Sequence, residues 1–488
     1  MVIRGRHIIA LNSSTPTNPN PNPDVKLIKV KVEFETVVNP AVSFADLKYN
    51  KNSGLLMVKD DGGIEDYTVA YAYLHGGIQA KDGNVYQGIR YSDGCGNLVE
   101  PHYTFAINTD KSRLDSNPFE GLTTWGQYKT MAASGYSIAN HTWHHGGYDR
   151  YTELKQNEKN IYDNTGLRTR TFVIPTADEG YAESAPYLGY KMVGSAFGAS
   201  STDDNNNSGN ENIVWTSKVD SKAIDMKRLD KFLFSRYYLE TWSETDRADI
   251  LNLANIVLTQ STNGKKYVGH FFSHGLLDGS NTMQGFKNYI SYVMNHPSNN
   301  DSIWLPSMQE FSEYFETKFL VNKTQSLSGK TLTVELDLSN LPEEGLNRDM
   351  SLLVSGGTIK NVNVEGSDSY TFNPGTGLIN IFKKNKAVKD PNTDTAPPQI
   401  ISAVKSGSKV NLTYDRPVTQ SVFASAYGNA YSVSGNTVVN VTGSGTSWSI
   451  NCQNTVSAGS KFDYRMQRGN ASDADGMKVC TYIEYPIS

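Results

Sequence analysis

The chain has 488 residues, which at about 150 residues per domain predicts roughly three domains. Lys and Arg total 45 against 50 Asp and Glu, so the net charge of −5 excludes an overall basic protein that binds nucleic acid, and no run approaches the roughly 18 apolar residues of a membrane span. Charged residues make up only 19% and tyrosines number 28, a composition common among extracellular β proteins and carbohydrate-active enzymes.

Residues 1–47 are predicted to form a separate N-terminal piece. Residues 8–11 are too few for the apolar core of a secretory signal, so no signal peptide is expected. The Pro- and Asn-rich residues 12–23 indicate a stiff polar spacer, and residues 25–38 then alternate in the manner of a strand. This order suits attachment to a phage virion through the N-terminus, or assembly of a homo-oligomer. The alternative is a secreted protein whose signal has been removed.

From residue 48 to 320, short apolar strand-like runs alternate with helix-like segments. The strand-like runs include residues 54–58, 102–107 and 267–272. The helix-like segments are residues 124–134, 152–164, 244–260, 283–295 and 308–318. Alternating β and α elements predict a parallel sheet, and the size suits a distorted β/α barrel.

After residue 320 the helical signals stop. Residues 321–387 contain strand-like runs that predict a small β-sandwich, and residues 389–398 read as a linker. Residues 397–488 show short strands separated by Gly, Ser and Asn turns, which is typical of an immunoglobulin-like sandwich. The predicted fold is therefore an α/β barrel followed by two small all-β domains. Three cysteines are too few for a disulfide framework, although Cys452 and Cys480 could pair.

Polar windows follow the strand-like runs of residues 48–320. Asp60 and Asp61 follow one run, and five of the nine histidines lie in two other windows, namely His141, His144, His145, His270 and His274. Catalytic groups collect at the C-terminal ends of barrel strands, and two imidazoles with one carboxylate are a usual ligand set for a hydrolytic divalent metal. A second carboxylate can take a proton from water. Of His270 and His274, which alternate in an apolar strand, one is expected in the core.

The order of these windows resembles the polysaccharide deacetylase family (carbohydrate esterase family 4). The segments that carry the resemblance are Val58-Lys-Asp60-Asp61-Gly62, Gly135-Tyr-Ser-Ile-Ala-Asn-His141-Thr-Trp-His-His145, Phe172-Val-Ile-Pro175, Leu188-Gly-Tyr190, the late strand before His274, and Ser302-Ile-Trp304 with the helix after it. They extend over residues 50–320. The resemblance implies a metal-dependent barrel enzyme that removes acetyl groups from a polysaccharide.

The resemblance also implies a metal site. Asp61, His141 and His145 would bind a divalent metal, with Zn²⁺ the expected ion. His144 could compete as a ligand, but the family's i, i+4 spacing favours His145.

Three further positions receive catalytic roles from the resemblance. Asp60 would be the general base that deprotonates the metal-bound water, and His274 would be the general acid that protonates the leaving group. The backbone N–H of Thr176, which follows Pro175 of the third segment, would stabilise the oxyanion.

Substrate-binding candidates are harder to place by sequence. The family's arginine that orients the base stands two residues before the proline, where this chain has Val173, and Arg170 lies nearby in another register. Arg170 is therefore a candidate substrate-binding residue. The aromatic candidates for stacking on sugar rings, each of which could equally be a core residue, are Trp143, Tyr181, Trp242 and Trp304.

The sequence thus predicts a metal-dependent hydrolase that removes N- or O-linked acetyl groups from a surface polysaccharide, outside the cell or on a virion. The alternative is a glycan-binding or structural virion protein, such as a tail or fibre, that keeps the barrel without turnover. The C-terminal sandwich would act as a spacer or as a glycan adhesin.

Overall fold

A computed structural model describes residues 26–488 apart from residues 111–120, 196–212, 215–217, 225–231, 239–243, 262–263, 277–281, 387, 422 and 426–427. The predicted anchor and spacer within residues 1–25, and Trp242, lie outside the described residues.

The first half of the described chain contains one long strand followed by short ones. These are β1 (Leu27–Phe44), β2 (Ser53–Lys59), β3 (Tyr91–Ser92), β4 (Leu98–Val99), β5 (Thr104–Ile107), β6 (Ser137–Asn140), β7 (Thr171–Val173), β8 (Met192–Ser195), β9 (Ile213–Val214), β10 (Lys218–Asp220), β11 (Phe232–Ser235), β12 (Tyr237–Tyr238), β13 (Tyr267–Ser273) and β14 (Ile303–Trp304).

Helices alternate with these strands, as the sequence predicts. Beyond a helical stretch at Asp66–Tyr71 and Ala72–Leu74, they are α1 (Trp125–Ala133), α2 (Arg150–Thr165), α3 (Glu179–Ser184), α4 (Glu244–Gln260), α5 (Thr282–Asn295) and α6 (Met308–Leu320). Local signals set their ends: α1 begins with a capping box between Thr124 and Gln127, and α2 begins at Asp149 and ends at Gly166 with φ 74°.

Strands β2 and β5–β14 form one curled, mostly parallel sheet in the order β10-β13-β2-β5-β6-β7-β8-β11-β9, with β12 beside β13 and β14 beside β2. All seven residues of β2 are buried, as expected for a central parallel strand covered on both faces. Residues 232–238 pair first with β8 and then, after Arg236, with β13. That segment therefore connects the two sides of the curled sheet. The prediction of a mixed α/β region on a parallel sheet is confirmed.

The domain boundary predicted at residue 47 assigns β1 to a different domain from the strands with which it pairs. Strand β1 pairs antiparallel with β16 (Thr331–Asp337) on one side and β17 (Met350–Glu365) on the other. With β15 (Asn322–Ser328), β18 (Ser369–Asn373) and β19 (Leu378–Phe382) they form a single six-stranded sheet. The strand at residues 25–38 thus completes the domain predicted at residues 321–387. Sequence reasoning missed this because the partners lie about 300 residues apart.

The C-terminal strands are β20 (Ile400–Ser406), β21 (Lys409–Tyr414), β22 (Ala424–Ser425), β23 (Gly428–Asn429), β24 (Tyr431–Val433), β25 (Val438–Ser444), β26 (Ser447–Cys452), β27 (Lys461–Tyr464) and β28 (Tyr482–Pro486). A four-stranded sheet, β20-β21-β26-β25, and a three-stranded sheet, β24-β27-β28, share one hydrophobic core. Cys452 and Cys480 do not pair; both are free and buried here.

Helix α6 contacts both the curled sheet and the six-stranded sheet. One face carries buried glutamates at i, i+3 spacing, namely Glu310, Glu313 and Glu316. Lys48 Nζ lies 2.7 Å from an oxygen of Glu310 and 2.7 Å from an oxygen of Asp349. Burial opposes ionisation of Glu310, but the charges of Lys48 and His102 outweigh it and hold its pKa well below the usual range. These pairs stabilise the fold above the unfolded pKa of about 4.3 and are lost as the pH falls.

Lys48→Met should therefore strongly destabilise the protein at pH 7, because it removes the cation that the buried carboxylates of Asp349 and Glu310 share and leaves Glu310 with His102. We expect a loss of about 3–5 kcal/mol, measured as a lower urea midpoint. Lys360→Met is the matched control, because Lys360 pairs with Glu33 on the surface, and it should leave the midpoint nearly unchanged. Equal losses of stability in the two variants would contradict the stabilising role of the Lys48 ion pairs.

Candidate active site

Three predicted ligands come together at the C-terminal edge of the curled sheet. Asp61 follows β2, and His141 and His145 follow β6. Asp61 Oδ1 lies 3.5 Å from His141 Nε2 and 3.4 Å from His145 Nε2, and the three donor atoms lie within 4.8 Å of one another. Asp61 Oδ1 and His141 Nε2 are buried and, apart from this mutual approach, have no hydrogen-bond partner. Two imidazole nitrogens and one carboxylate oxygen suit a divalent metal with an open coordination position.

The backbone around this group is strained. Asp61, Thr142, His145 and Thr176 have φ values of 71°, 66°, 60° and 51°, in the left-handed region that non-glycine residues rarely adopt. Each such residue costs about 1–3 kcal/mol and persists only where the surroundings hold it. Strain that concentrates at one edge of a sheet is typical of a functional site.

Hydrogen bonds hold His141 in a defined orientation. Its Nδ1 donates a hydrogen bond to the Val173 carbonyl oxygen at 2.8 Å, so Nε2 is the ring nitrogen that faces Asp61 and His145. The residues on either side of His141 are also held. Asn157 Nδ2 donates to Asn140 Oδ1 at 2.8 Å, and Asn140 Oδ1 also accepts the Thr142 N–H at 2.8 Å. Buried amides thus fix the turn that carries the first histidine.

His144 points to a different partner. Its backbone N–H and its Nδ1 each lie 2.8 Å from a carboxylate oxygen of Glu153. This separates His144 from the metal-ligand candidates, in agreement with the choice of His145.

Asp60 is buried and forms a two-pronged ion pair with Arg236. Arg236 Nη1 donates to Asp60 Oδ1 at 2.7 Å, and Nη2 donates to Oδ2 at 3.0 Å. The guanidinium also lies over the Phe272 ring, 3.9 Å from its centroid. Arg236 therefore orients the carboxylate next to Asp61, a function for which sequence reasoning found no residue. The sequence signal that could have identified it is that Arg236 is the single charged residue within the largely apolar residues 232–238.

The other two predicted catalytic positions lie at the same edge. His274 is exposed and directly follows β13, whose Ser273 carbonyl accepts the Asp60 N–H at 3.0 Å. Thr176 is exposed and lies in the turn Pro175–Ala177 just after β7. His270 instead lies inside the sheet, where burial and the charge of Arg236 lower its pKa well below the usual value. His270 is thus the core histidine of the pair.

The ionised form of the Asp61 side chain is strongly favoured. Burial alone would raise its pKa, but hydrogen bonding to His141 and the positive charges of His141, His145 and His274 lower it far below the usual range. The carboxylate is therefore ionised at neutral pH, as a metal ligand must be.

The substrate-binding candidates are scattered. Arg170 is buried and donates to Glu316 of α6 at 2.6 and 2.9 Å, so it serves the packing of that helix and not this edge. Trp304 and Tyr181 are fully buried and offer no face to a sugar. Trp143 is half-buried against the His144 ring, 3.9 Å between centroids, and is the one of these three beside the predicted ligands.

Comparison with known proteins finds one matching family. Residues 100–193 match the polysaccharide deacetylase family. The matched segment contains His141, His145 and Thr176, whereas Asp60, Asp61 and His274 lie outside it. It supports a hydrolase of the carbohydrate esterase type. No curated protein matches the chain.

Similar solved structures are distant. A Streptococcus pyogenes deacetylase in complex with acetate is 21% identical, with 29% of this chain and 55% of that chain covered and a TM-score of 0.22. The deacetylase domain of BpsB from Bordetella bronchiseptica is 18% identical, with 29% and 63% covered and a TM-score of 0.21. PdaA of Bacillus subtilis, a family 4 carbohydrate esterase, is 12% identical, with 57% and 84% covered and a TM-score of 0.26.

The ligand group makes a direct prediction for metal binding. Asp61→Ala, His141→Ala and His145→Ala should each weaken Zn²⁺ binding by more than the roughly 10- to 100-fold that follows loss of a ligand's hydrogen-bond partner. His144→Ala is the matched control and should bind Zn²⁺ like the unaltered protein, because Glu153 holds that side chain. Equilibrium dialysis measures all four. A loss in His144→Ala as large as in His145→Ala would contradict the assignment.

Proposed function

We propose that the curled-sheet region is a metal-dependent hydrolase that removes N- or O-linked acetyl groups from a surface polysaccharide. The observation that carries the proposal is the convergence of Asp61, His141 and His145 beside Asp60, a carboxylate that Arg236 orients. The family match of residues 100–193 supports the same reaction class.

Asp61, His141 and His145 would hold the metal, and Zn²⁺ fits two imidazoles and a carboxylate. When bound, a divalent ion lowers the pKa of water and polarises the acetyl carbonyl. Asp60 then takes the proton from the attacking water, with its two oxygens oriented by the Arg236 guanidinium.

The leaving group needs a proton, because an amine or alkoxide anion departs poorly. His274, exposed at the end of β13 and beside the Asp60 turn, donates it. The Thr176 N–H, in the turn after β7, donates to the oxyanion that develops on the acetyl group. The half-buried Trp143 ring would contact the sugar.

The proposed place of action is outside the cell or on a virion. The composition and the Pro/Asn-rich spacer support it, and residues 1–25 lie outside the described part of the chain. No helix of the described residues is long and apolar enough to cross a membrane.

The test of the function is acetate release measured together with metal content. The unaltered protein should hold one Zn²⁺ per chain and release acetate from an acetylated polysaccharide, and Asp61→Ala should abolish both. Metal without release from any of several acetylated glycans, or neither, would favour the alternative of a glycan-binding protein without turnover.

A second prediction separates the acid from the base. His274→Ala should lower deacetylation of a sugar amide by about 10²- to 10⁴-fold. It should have a small effect on 4-nitrophenyl acetate, whose leaving group departs without a proton. Asp60→Asn should impair both substrates, because water attack is common to them.

His296→Ala is the control, since that histidine bonds Asn255 at 3.2 Å beyond the end of α5. It should be active on both substrates. Equal losses on the amide and the activated ester in His274→Ala would remove His274 from the role of general acid.

A further inference from the structure

The C-terminal β region packs directly on the loop that carries His145. The Ile483 N–H donates to the Tyr148 carbonyl oxygen at 3.1 Å, and Asp149 pairs with Tyr482 as an isolated antiparallel bridge. Tyr148 follows His145 by three residues, so the Cα atoms of the two residues lie within about 11 Å of each other. Strand β28 therefore reaches the edge of the candidate metal site.

A second set of contacts holds the neighbouring loop. Thr481 donates from its backbone N–H to Ser184 Oγ at 3.0 Å and from Oγ1 to Glu183 Oε2 at 2.7 Å. Arg465 approaches Glu183 at 3.4 Å. Glu183 and Ser184 lie at the end of α3, the helix just after Thr176. The C-terminal region is thus fixed against both loops.

An aromatic pair lies at this junction. The Tyr148 and Tyr485 rings meet edge to face, 5.2 Å between centroids. The Tyr485 ring also packs on the rings of Phe462 and Tyr482, with centroid distances of 5.2 and 5.5 Å, and these contacts fix its position. Tyr148 nevertheless remains 50% exposed, although backbone bonds hold its position.

The backbone at the junction is shaped for this arrangement. Gly147, with φ 125°, lets the chain pass so close to Glu153 that a Cβ would lie 2.5 Å from a carboxylate oxygen. Next to Tyr485, the exposed Glu484 has φ 55°, a conformation that costs energy and is typical of functional surfaces.

We propose that Tyr148, backed by Tyr485, forms a sugar-binding subsite for a polysaccharide chain whose acetylated residue lies at the metal site. The proposal rests on the function proposed above and names its substrate as a polymer. An aromatic ring offers a flat apolar surface to the C–H face of a pyranose. The Cα atoms of Tyr148 and His145 lie within about 11 Å of each other, and we assign the ring to a neighbouring sugar of the same chain, not to the sugar being deacetylated.

The experiment compares polymer and small substrates in the full-length protein. Tyr148→Ala should raise KM for the acetylated polymer by roughly 2- to 10-fold, with kcat changed less. It should leave kcat/KM for 4-nitrophenyl acetate unchanged, because that ester is too short to reach the ring. The polymer is whichever of N-acetylglucosamine hexamer and acetylxylan the unaltered protein deacetylates faster.

Two variants serve as controls. Tyr148→Trp keeps an aromatic face and should restore the polymer KM. Tyr187→Ala removes the other exposed large aromatic side chain of the described residues, which is 39% exposed in the turn Ala185–Leu188. It should change neither KM nor kcat for either substrate. An unaltered melting temperature in Tyr148→Ala separates lost sugar contact from lost folding.

The outcomes distinguish this inference from the proposed function. Acetate release with an unchanged polymer KM in Tyr148→Ala overturns the subsite and leaves the function standing. Where the unaltered protein releases no acetate, calorimetric binding of the same two polymers decides. Weaker binding by Tyr148→Ala supports the subsite, and equal binding or no binding overturns it.

Discussion

The buried ion pair between Asp60 and Arg236 is the interaction on which the architecture of the site depends. Arg236 lies where residues 232–238 change partner from β8 to β13, so the pair forms at the place where the two sides of the curled sheet join. Burying two charges costs several kcal/mol for each, and an apolar pair of similar volume would often be at least as stable. Stability alone therefore does not account for a carboxylate at this position, whereas the proposed role of Asp60 as an oriented base does.

The site is assembled against the preferences of its own backbone. Asp61, Thr142, His145 and Thr176 adopt left-handed conformations at strand ends, and together they cost several kcal/mol. Buried bonds from the amides of Asn140 and Asn157 and from the carbonyl of Val173, together with the large core beneath, offset that cost. The proposed three-ligand metal site would require side chains held in place by their surroundings in this way.

Local patterns in the sequence predicted what depends on local chemistry. The helix-like segments lie close to the observed helices, and the ligand candidates followed from polar residues after apolar strands together with the family resemblance. Long-range pairing has no such signature, which is why the partners of β1 and the pairing of Arg236 with Asp60 were missed. Burial was equally hard to predict: Arg170 and Trp304 have residue types suited to binding sugars, yet their surroundings commit them to ion pairing and packing.

The C-terminal region illustrates the same limit at the scale of a domain. Its sequence indicates strands and turns, and a spacer or an adhesin would have the same pattern. What distinguishes these roles is contact: a spacer needs few bonds to its neighbour, whereas β28 bonds the loop after His145 and Thr481 bonds the helix after Thr176. A flexible adhesin would raise the local concentration of a polymer without orienting it. A region bonded to both site loops could hold one direction of a polysaccharide chain relative to Asp61, and under the proposed function that arrangement would favour reaction within a polymer over reaction at a free sugar.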